Sequence, residues 1–507
     1  MTQHYDVAVI GTQTAGLIAA ALLAKREHRV IVLDHGENIR FYRHHGIHLP
    51  LTPTLIPSFE GSPPIKQVHD ELGISPELRN AVVLQEPSFQ AVMPEHRIDI
   101  VGRRPAFLEE LRYEFPELVE PVRRFFERLF ERDEEIGQLL SDPGPFPPNG
   151  WKERIGLSRK RNAFSRFSAP FEESEMLEGI PENHPVRDLL LGPLTFFGHL
   201  NPTTPSSLHA IRLIARYFRG SLTFKDRIGG LHGLLQNAAE DSGATIKHGA
   251  LVHAMETSGR NVTRIVTNTD RPVSADYVIY NALAPLEELL PAGKTNAKVT
   301  LESQLVRPVG SLLVCNMVVQ RDVIPCGMAE ALFLLNGRRS RRAEEPRDAP
   351  IFMRRYPAQH GEAIRSRGLR PTVDPNREVL SVALPIRTKE VTHSPERLAA
   401  LREQLSQRVR RLLPFLDQHL VDTSFPSETS SWDLEGEGVV RAVDPWLLHP
   451  LYEVSEQPWL GVAGRANRGF VKNLIYASRD VLPGLGLEGE YLTALKAVET
   501  VSTLSKR

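Results

Sequence analysis

Tyr5-Asp6-Val7-Ala8-Val9-Ile10, then Gly11-Thr12-Gln13-Thr14-Ala15-Gly16, then Arg29-Val30-Ile31-Val32-Leu33-Asp34 are the stretches that decide the fold. The first is apolar and β-branched, as a buried parallel strand requires. A glycine turn follows, then an Ala/Leu-rich helical run to Lys25, then a second strand that closes on an acid. Strand, glycine turn, helix, strand and acid together make a dinucleotide-binding βαβ unit. One residue is wrong for its role. The middle glycine of Gly-x-Gly-x-x-Gly, which lets the backbone come close to a pyrophosphate, is Gln13. A Cβ there adds steric cost, and a non-glycine residue held at positive φ costs roughly 1–2 kcal/mol.

The totals are those of an ordinary globular protein. A chain of 507 residues is too long for one simple core, so two or more domains are expected. Apolar residues make up 41% and charged residues 24%. With 61 basic and 62 acidic residues the net charge is −1, so no global field favours nucleic acid or an anionic membrane. Cys315 and Cys326 make no disulfide framework, which points to a reducing cytoplasm. No basic segment leads into a cleavable hydrophobic run, and the longest apolar stretch, Ala15 to Ala24, is too short to span a bilayer. The sequence leaves the oligomeric state open.

Beyond Asp34 the pattern becomes irregular, with a Pro-rich stretch from Pro50 to Pro64. Helical periodicity returns from Pro105 to Leu140, where Val122, Phe125, Phe126, Leu129, Phe130, Ile136 and Leu140 form an apolar stripe. Leu208 to Phe218 reads as a second amphipathic helix. Gly229-Gly230-Leu231 opens a helix through Ala239, followed by a strand at Gly243–Lys247 and a hairpin from Ala250 to Asn268. Ala275 to Ala282 is a further buried strand. Ser311–Val319 and Val379–Pro385 read as strands and Ser394–Leu413 as a helix. Trp459 to Gly464 reads as a strand running into a glycine turn, and Pro483 to Glu490 introduces a last helix to about Leu504.

In this order, the N-terminal βαβ, the Gly-Gly-Leu helix, the strand at Val252, the Ala-Asp-x-Val-Ile-x-Asn-Ala strand and the closing Val-Ala-Gly and Gly-rich turns resemble the flavin-dependent superfamily of amine oxidases and phytoene desaturases. The branch they most resemble is that of phytoene desaturases and retinol saturases. The resemblance implies an α/β fold: a Rossmann-like FAD/NAD(P)-binding domain joined discontinuously to an α+β substrate domain. The first would be built from 1–65, 220–295 and 455–507, the second from 66–219 and 296–454. It also implies the cofactor contacts. Gly11, Thr12, Gln13, Ala15 and Gly16 would face the pyrophosphate of FAD at a helix N-terminus. Asp34 would take the adenosine ribose and the Val252 backbone the adenine. Gly464 with Arg465, and Gly486, Leu487 and Glu488, would run beside the flavin. The reaction implied is hydride exchange with a lipophilic, isoprenoid-like substrate, the flavin carrying the chemistry and the protein the positioning. The resemblance supplies no catalytic acid or base.

The chain departs from that pattern in ways that bear on the cofactor. Besides Gln13, the Arg-x-Gly-Gly stretch usual after the acid is replaced by Gly36-Glu37-Asn38-Ile39-Arg40-Phe41-Tyr42-Arg43. Arg40 or Arg43 can supply charge, but the paired glycines are missing. Glu488 and Glu490 sit in the last turn, where a carboxylate aimed at a reduced flavin would destabilise it. A degenerate member that keeps the fold, holds no flavin and serves as a binding or assembly protein is therefore the alternative. NAD in place of FAD fits less well, because the last turn resembles a flavin-facing one.

Other residues invite functional readings. His44, His45 and His48 lie around Gly46 and near Pro50, not on a regular helix, and show no acidic partner motif, so no metal is expected. Arg338-Arg339-Ser340-Arg341-Arg342 reads as a solvated hairpin loop. The aromatic stripe at Phe125–Phe130 is core, or else lines a lipophilic channel or makes a peripheral membrane contact; its mixed Glu/Arg face weakens the last reading.

Overall fold

The computed structural model describes residues 3–35, 40–102, 104–141, 146–201, 205–225, 230–269, 271–338, 349–360, 372–428, 444–455 and 458–506. The opening stretch folds as read: strand β1 is Gln3–Ile10, helix α1 is Thr14–Lys25 and strand β2 is Val30–Leu33. Every residue of α1 from Ala15 to Ala24 is buried. A helix that is apolar all round must be covered on all sides. Here the cover is the sheet together with the Gly230–Asp241 helix and the C-terminal helix Gly486–Ser505.

The first sheet has seven strands. Its parallel part runs Thr245–Lys247, β2, β1, Val273–Tyr280 and Leu474–Tyr476, and the antiparallel hairpin Val252–Ser258 and Asn261–Thr267 lies on the Val273–Tyr280 side. The turn into α1 and Asp34 therefore share the carboxyl edge of the parallel strands, where ligands bind in such sheets.

A second sheet of ten strands is largely antiparallel and centred on Val306–Gln320 and Thr372–Arg387. One face packs on the Pro395–Leu412 helix through Leu401, Leu405 and Val409. Phe333 and Phe352 of this sheet meet Phe196 and Phe197, with ring centroids 5.0–6.0 Å apart. The hairpin Phe41–His44 and Ile47–Pro50 joins the same sheet through Ile47 and His360. That segment reads as irregular in sequence because its signal is the tip alone, His45-Gly46, with φ of 47° and 79°.

Two further expectations change. The helix expected over 105–140 is broken at Phe115-Pro116 into Arg104–Glu114 and Val119–Leu140. Trp459–Gly464 is a tight turn, not a strand. Trp459 and Val462 exchange backbone hydrogen bonds of 2.9 and 3.0 Å around Leu460 and Gly461, both at positive φ. The aromatic stripe is plain core. Phe126 is buried and packs on Phe107, Phe125 and Phe218. Among the described residues, no helix is long and apolar enough to cross a membrane. The basic run after Arg338 lies outside the described residues.

Candidate active site

The glycine turn is tight because a second strand crosses it. A Cβ on Gly11, at φ 100°, would lie 2.6 Å from the Asn281 carbonyl oxygen. Asn281 is buried, takes the Ile10 carbonyl with its N–H at 2.8 Å, and gives its side-chain amide to Ala477. Gln13 needs no positive φ. It is the extended N-cap residue of α1, at φ −68° and ψ 167°. The expected backbone strain is absent, because the motif glycine at this position serves the ligand's approach and not the turn. Its side chain is 2% exposed, and its Oε1 has no partner among the described residues. Ala15 is buried, and the Thr12 backbone bonds the ring of His232.

At the end of β2 the expected ligand contacts are made inside the chain. Asp34 accepts the N–H groups of Gly249 at 2.7 Å and Ala250 at 3.1 Å, one on each oxygen. His35, fully buried at φ 59°, accepts the Val252 N–H on Nδ1 at 3.1 Å. The proton of the neutral ring is then on Nε2. Residues 36–39 lie outside the described residues; Arg40 lines the cavity described next.

A cavity of about 230 Å³ lies between the second sheet, which gives it Arg354 and Tyr356, the short antiparallel pair Ile56–Pro57 and Ser221–Phe224, and the starts of three helices. Thr14 at the start of α1, Gly230 and His232 at the start of the next helix, and Leu487 and Glu490 of the C-terminal helix line one side. Phe196, Phe197, Tyr217, Phe224 and Tyr356 make an aromatic wall, in which Phe197 and Tyr217 stack at 4.1 Å.

The remaining wall is polar. The rings of His199 and His449 lie 4.5 Å apart, tilted by 45°, and His199 Nδ1 donates to the Pro450 carbonyl at 3.2 Å. Burial, with the positive charge of Arg479, pushes the His449 imidazole down to about 3. Burial and its neighbours hold His199 well below the usual range as well. Both rings are neutral. Arg479 lies 3.4 Å from Glu490. His449 Nε2 and Glu490 Oε2 have no partner among the described residues.

Glu488 turns away from this cavity. It takes two hydrogen bonds of 2.6 Å from Arg212 and one from Ser62. Arg212 also holds Asp133 at 2.7 Å, and Arg219 closes the network on Asp133 at 2.8 Å. Burial alone would raise the Glu488 carboxyl, but the Arg212 guanidinium outweighs it and holds it below the usual range. Gly464 packs under the Val481 carbonyl, and Arg465 lies 3.7 Å over the Tyr476 ring and pairs with Asp480 at 3.1 Å. Neither lines the cavity.

Of the residues read from sequence, Arg40, Leu487 and Glu490 reach the cavity, while Asp34 and Val252 meet each other's surroundings. His199, His449 and Arg479 were not legible; no local pattern marks them. At the hairpin tip, His45 Nδ1 and His44 Nε2 lie 2.7 and 3.3 Å from Asp422, an acidic partner that sequence spacing could not supply.

Residues 14–360 match the family model of flavin containing amine oxidoreductases. A 4,4'-diapolycopen-4-al dehydrogenase from Metabacillus indicus is 22% identical over 292 residues, 55% of this chain and 56% of that protein. The chain thus matches only about half the length of that relative. An oxidoreductase from Methanosarcina mazei superposes with a TM-score of 0.57 at 14% identity, covering 99% of this chain and 100% of that one. Wild-type putrescine oxidase bound to putrescine gives 0.56 at 14% identity, covering 100% of both chains. At such identity these structures show the fold. With more than half of its length matched by the family model, the chain belongs to the flavin containing amine oxidoreductases, a family of FAD-dependent oxidoreductases.

Proposed function

We propose that this chain is an FAD-dependent oxidoreductase acting on a lipophilic substrate that carries a polar end group. The observation behind the reading is the two-sided cavity, aromatic on one wall and lined on the other by neutral imidazoles, Arg479 and Glu490. The relative named above is named for a lipophilic carotenoid substrate with a terminal aldehyde, which agrees with such a wall.

The donor set suits FAD. The first turn of α1 has no side-chain cap and no acid, so its N–H groups suit a pyrophosphate. A Cβ on Gly230 would meet nothing, which leaves room beside the cavity. Asp34, Val252, Arg40 and the amides at Gly486 and Leu487 would complete the set. When bound, FAD supplies hydride exchange at the ring. The chain's own residues do the rest. The aromatic wall excludes water and holds the apolar body of the substrate. Neutral His449, whose Nε2 has no partner among the described residues, offers a hydrogen bond to a carbonyl or hydroxyl without introducing charge. Arg479 fixes the orientation of Glu490.

The test is the visible spectrum of the protein reconstituted with FAD, followed anaerobically. Long apolar aldehydes or alcohols should change the flavin band, and short diamines should not. Bleaching by short diamines alone would refute the lipophilic substrate. A second reading, a flavin-free binding or assembly protein, is favoured by the internal contacts of Asp34 and Val252; no flavin band after reconstitution would establish it.

A further inference from the structure

We infer that His35 is a resident occupant of the adenosine end of the cleft, and that it sets how tightly this chain takes an adenine dinucleotide. In a βαβ unit the acid ending the second strand takes the ribose hydroxyls, so the space beside that acid belongs to the adenosine. Here both oxygens of Asp34 are bonded to the Gly249 and Ala250 N–H groups. The next residue, His35, is fully buried and held in the left-handed region at φ 59°. Non-glycine residues are uncommon in that region, where Asn, Asp and His are the ones that tolerate it best. Its Nδ1, a ring nitrogen acceptor, takes the Val252 N–H at 3.1 Å.

An aromatic nitrogen heterocycle thus sits next to the ribose-binding acid and accepts a backbone N–H, as an adenine ring nitrogen would. The neighbouring bonds tie the same loop to Asp34. The ligand must exchange these contacts for its own. Its ribose hydroxyls would replace the Gly249 and Ala250 amides on Asp34, and its base would replace His35 on Val252. The isoalloxazine half would be held elsewhere, by the residues of the C-terminal helix, and would not depend on this exchange. The inference rests on the flavin reading above but concerns binding alone.

The experiment is a titration of the full-length protein with FAD, followed by flavin fluorescence and circular dichroism, for the wild type, His35→Ala and His35→Gln. His35→Ala should bind FAD at least tenfold more tightly than the wild type. His35→Gln keeps an acceptor for Val252 and should stay within about threefold of it. ADP should compete at least tenfold better against His35→Ala, while riboflavin affinity should be equal across the three. Equal FAD and ADP affinities in all three proteins, or weaker binding by His35→Ala with an unchanged far-ultraviolet spectrum, would overturn the inference and leave the flavin reading standing. No FAD or riboflavin binding by any of them would overturn both.

Discussion

Arg212 is the residue whose loss should cost the most. Its guanidinium is 1% exposed and every donor is used: Nε and Nη2 on Glu488, Nη2 also on the Gly61 carbonyl, and Nη1 on the side chain and backbone of Asp133. Arg212→Met keeps much of the volume and removes the charge. Among the described residues Glu488 would then keep the Ser62 hydrogen bond and the more distant charge of Arg216, and Asp133 the bonds from Arg219. Removing one partner of a buried pair typically costs about 3–5 kcal/mol, because the other charge stays buried and uncompensated. The remaining partners place the expected loss within that range and not beyond it.

The pH dependence gives the sharper test. In the wild type the Glu488 carboxyl is held below its usual value, so its contribution is present above the unfolded pKa and lost as pH falls through the folded one. Without Arg212, burial raises the same carboxyl, and the variant gains relative stability as it takes up a proton. Urea midpoints at pH 8, 6 and 5 should therefore converge toward acid. Arg212→Met combined with Glu488→Gln and Asp133→Asn should recover more than half of the loss, since replacing a whole buried network is far cheaper than breaking it. A loss below about 1 kcal/mol, or a difference that does not change with pH, would refute the reasoning.

Other expectations follow from single contacts. Gly11→Ala places a Cβ 2.6 Å from the Asn281 carbonyl at positive φ and should cost at least about 2 kcal/mol in urea unfolding. Gln13→Gly relieves no strain at φ −68°, so stability should fall by about 0.5–1 kcal/mol while FAD affinity, read by fluorescence quenching, rises. Burial pushes the Cys315 thiol up to about 12 whereas Cys326 is exposed, so native protein should give one fast thiol with Ellman's reagent and a second only in denaturant. Burial holds His69 and His209 at about 4 and His449 at about 3. Their folded values lie below the unfolded one, so stability should be full above about pH 6.5 and fall toward pH 4, by up to about 1.4 kcal/mol per unit for each ring. A flat stability profile from pH 7 to 5 would contradict the burial of these imidazoles.

What the sequence made legible was whatever repeats with a local period. The βαβ unit shows as an apolar run, a glycine turn and an acid, and the stripe from Val122 to Leu140 shows at helical spacing; both fold as read. The site is assembled from partners far apart in the chain. Arg212 and Glu488 are 276 residues apart, Asp34 and Gly249 are 215 apart, and His45 and Asp422 are 377 apart. No spacing rule reaches across such intervals. At Gln13 one part of the reading fails for another reason. Two consequences were expected of it, a Cβ at the close approach and backbone strain; an extended N-cap position accepts any residue, so the strain is absent and what is left acts on the ligand side of the turn. Trp459–Gly464 misled because an apolar run flanking a two-residue turn looks like a strand when its length is too short to show which it is.

The cleft's two ends answer to different energetics, and this decides how a cofactor would be held. At the C-terminal helix, Glu488 is fixed by charge-assisted bonds to a buried cation, so the turn at Gly486 and Leu487 is presented by a rigid element whatever occupies the cleft. At the end of β2 the contacts are exchangeable one for one. Asp34 can trade amide donors for hydroxyl donors, and Val252 can trade one ring nitrogen for another. Each trade leaves the bond count unchanged, so affinity is set by the cost of moving His35 and the Gly249–Ala250 loop. If the closed arrangement is favoured by about 2.7 kcal/mol, apparent affinity for the dinucleotide falls about a hundredfold while the intrinsic contacts stay intact. A chain built this way can be purified without flavin and still be a flavoenzyme at sufficient FAD. The FAD concentration needed for saturation, more than the colour of the purified protein, is therefore the quantity that separates an enzyme with a self-closed cleft from a scaffold that has lost its cofactor.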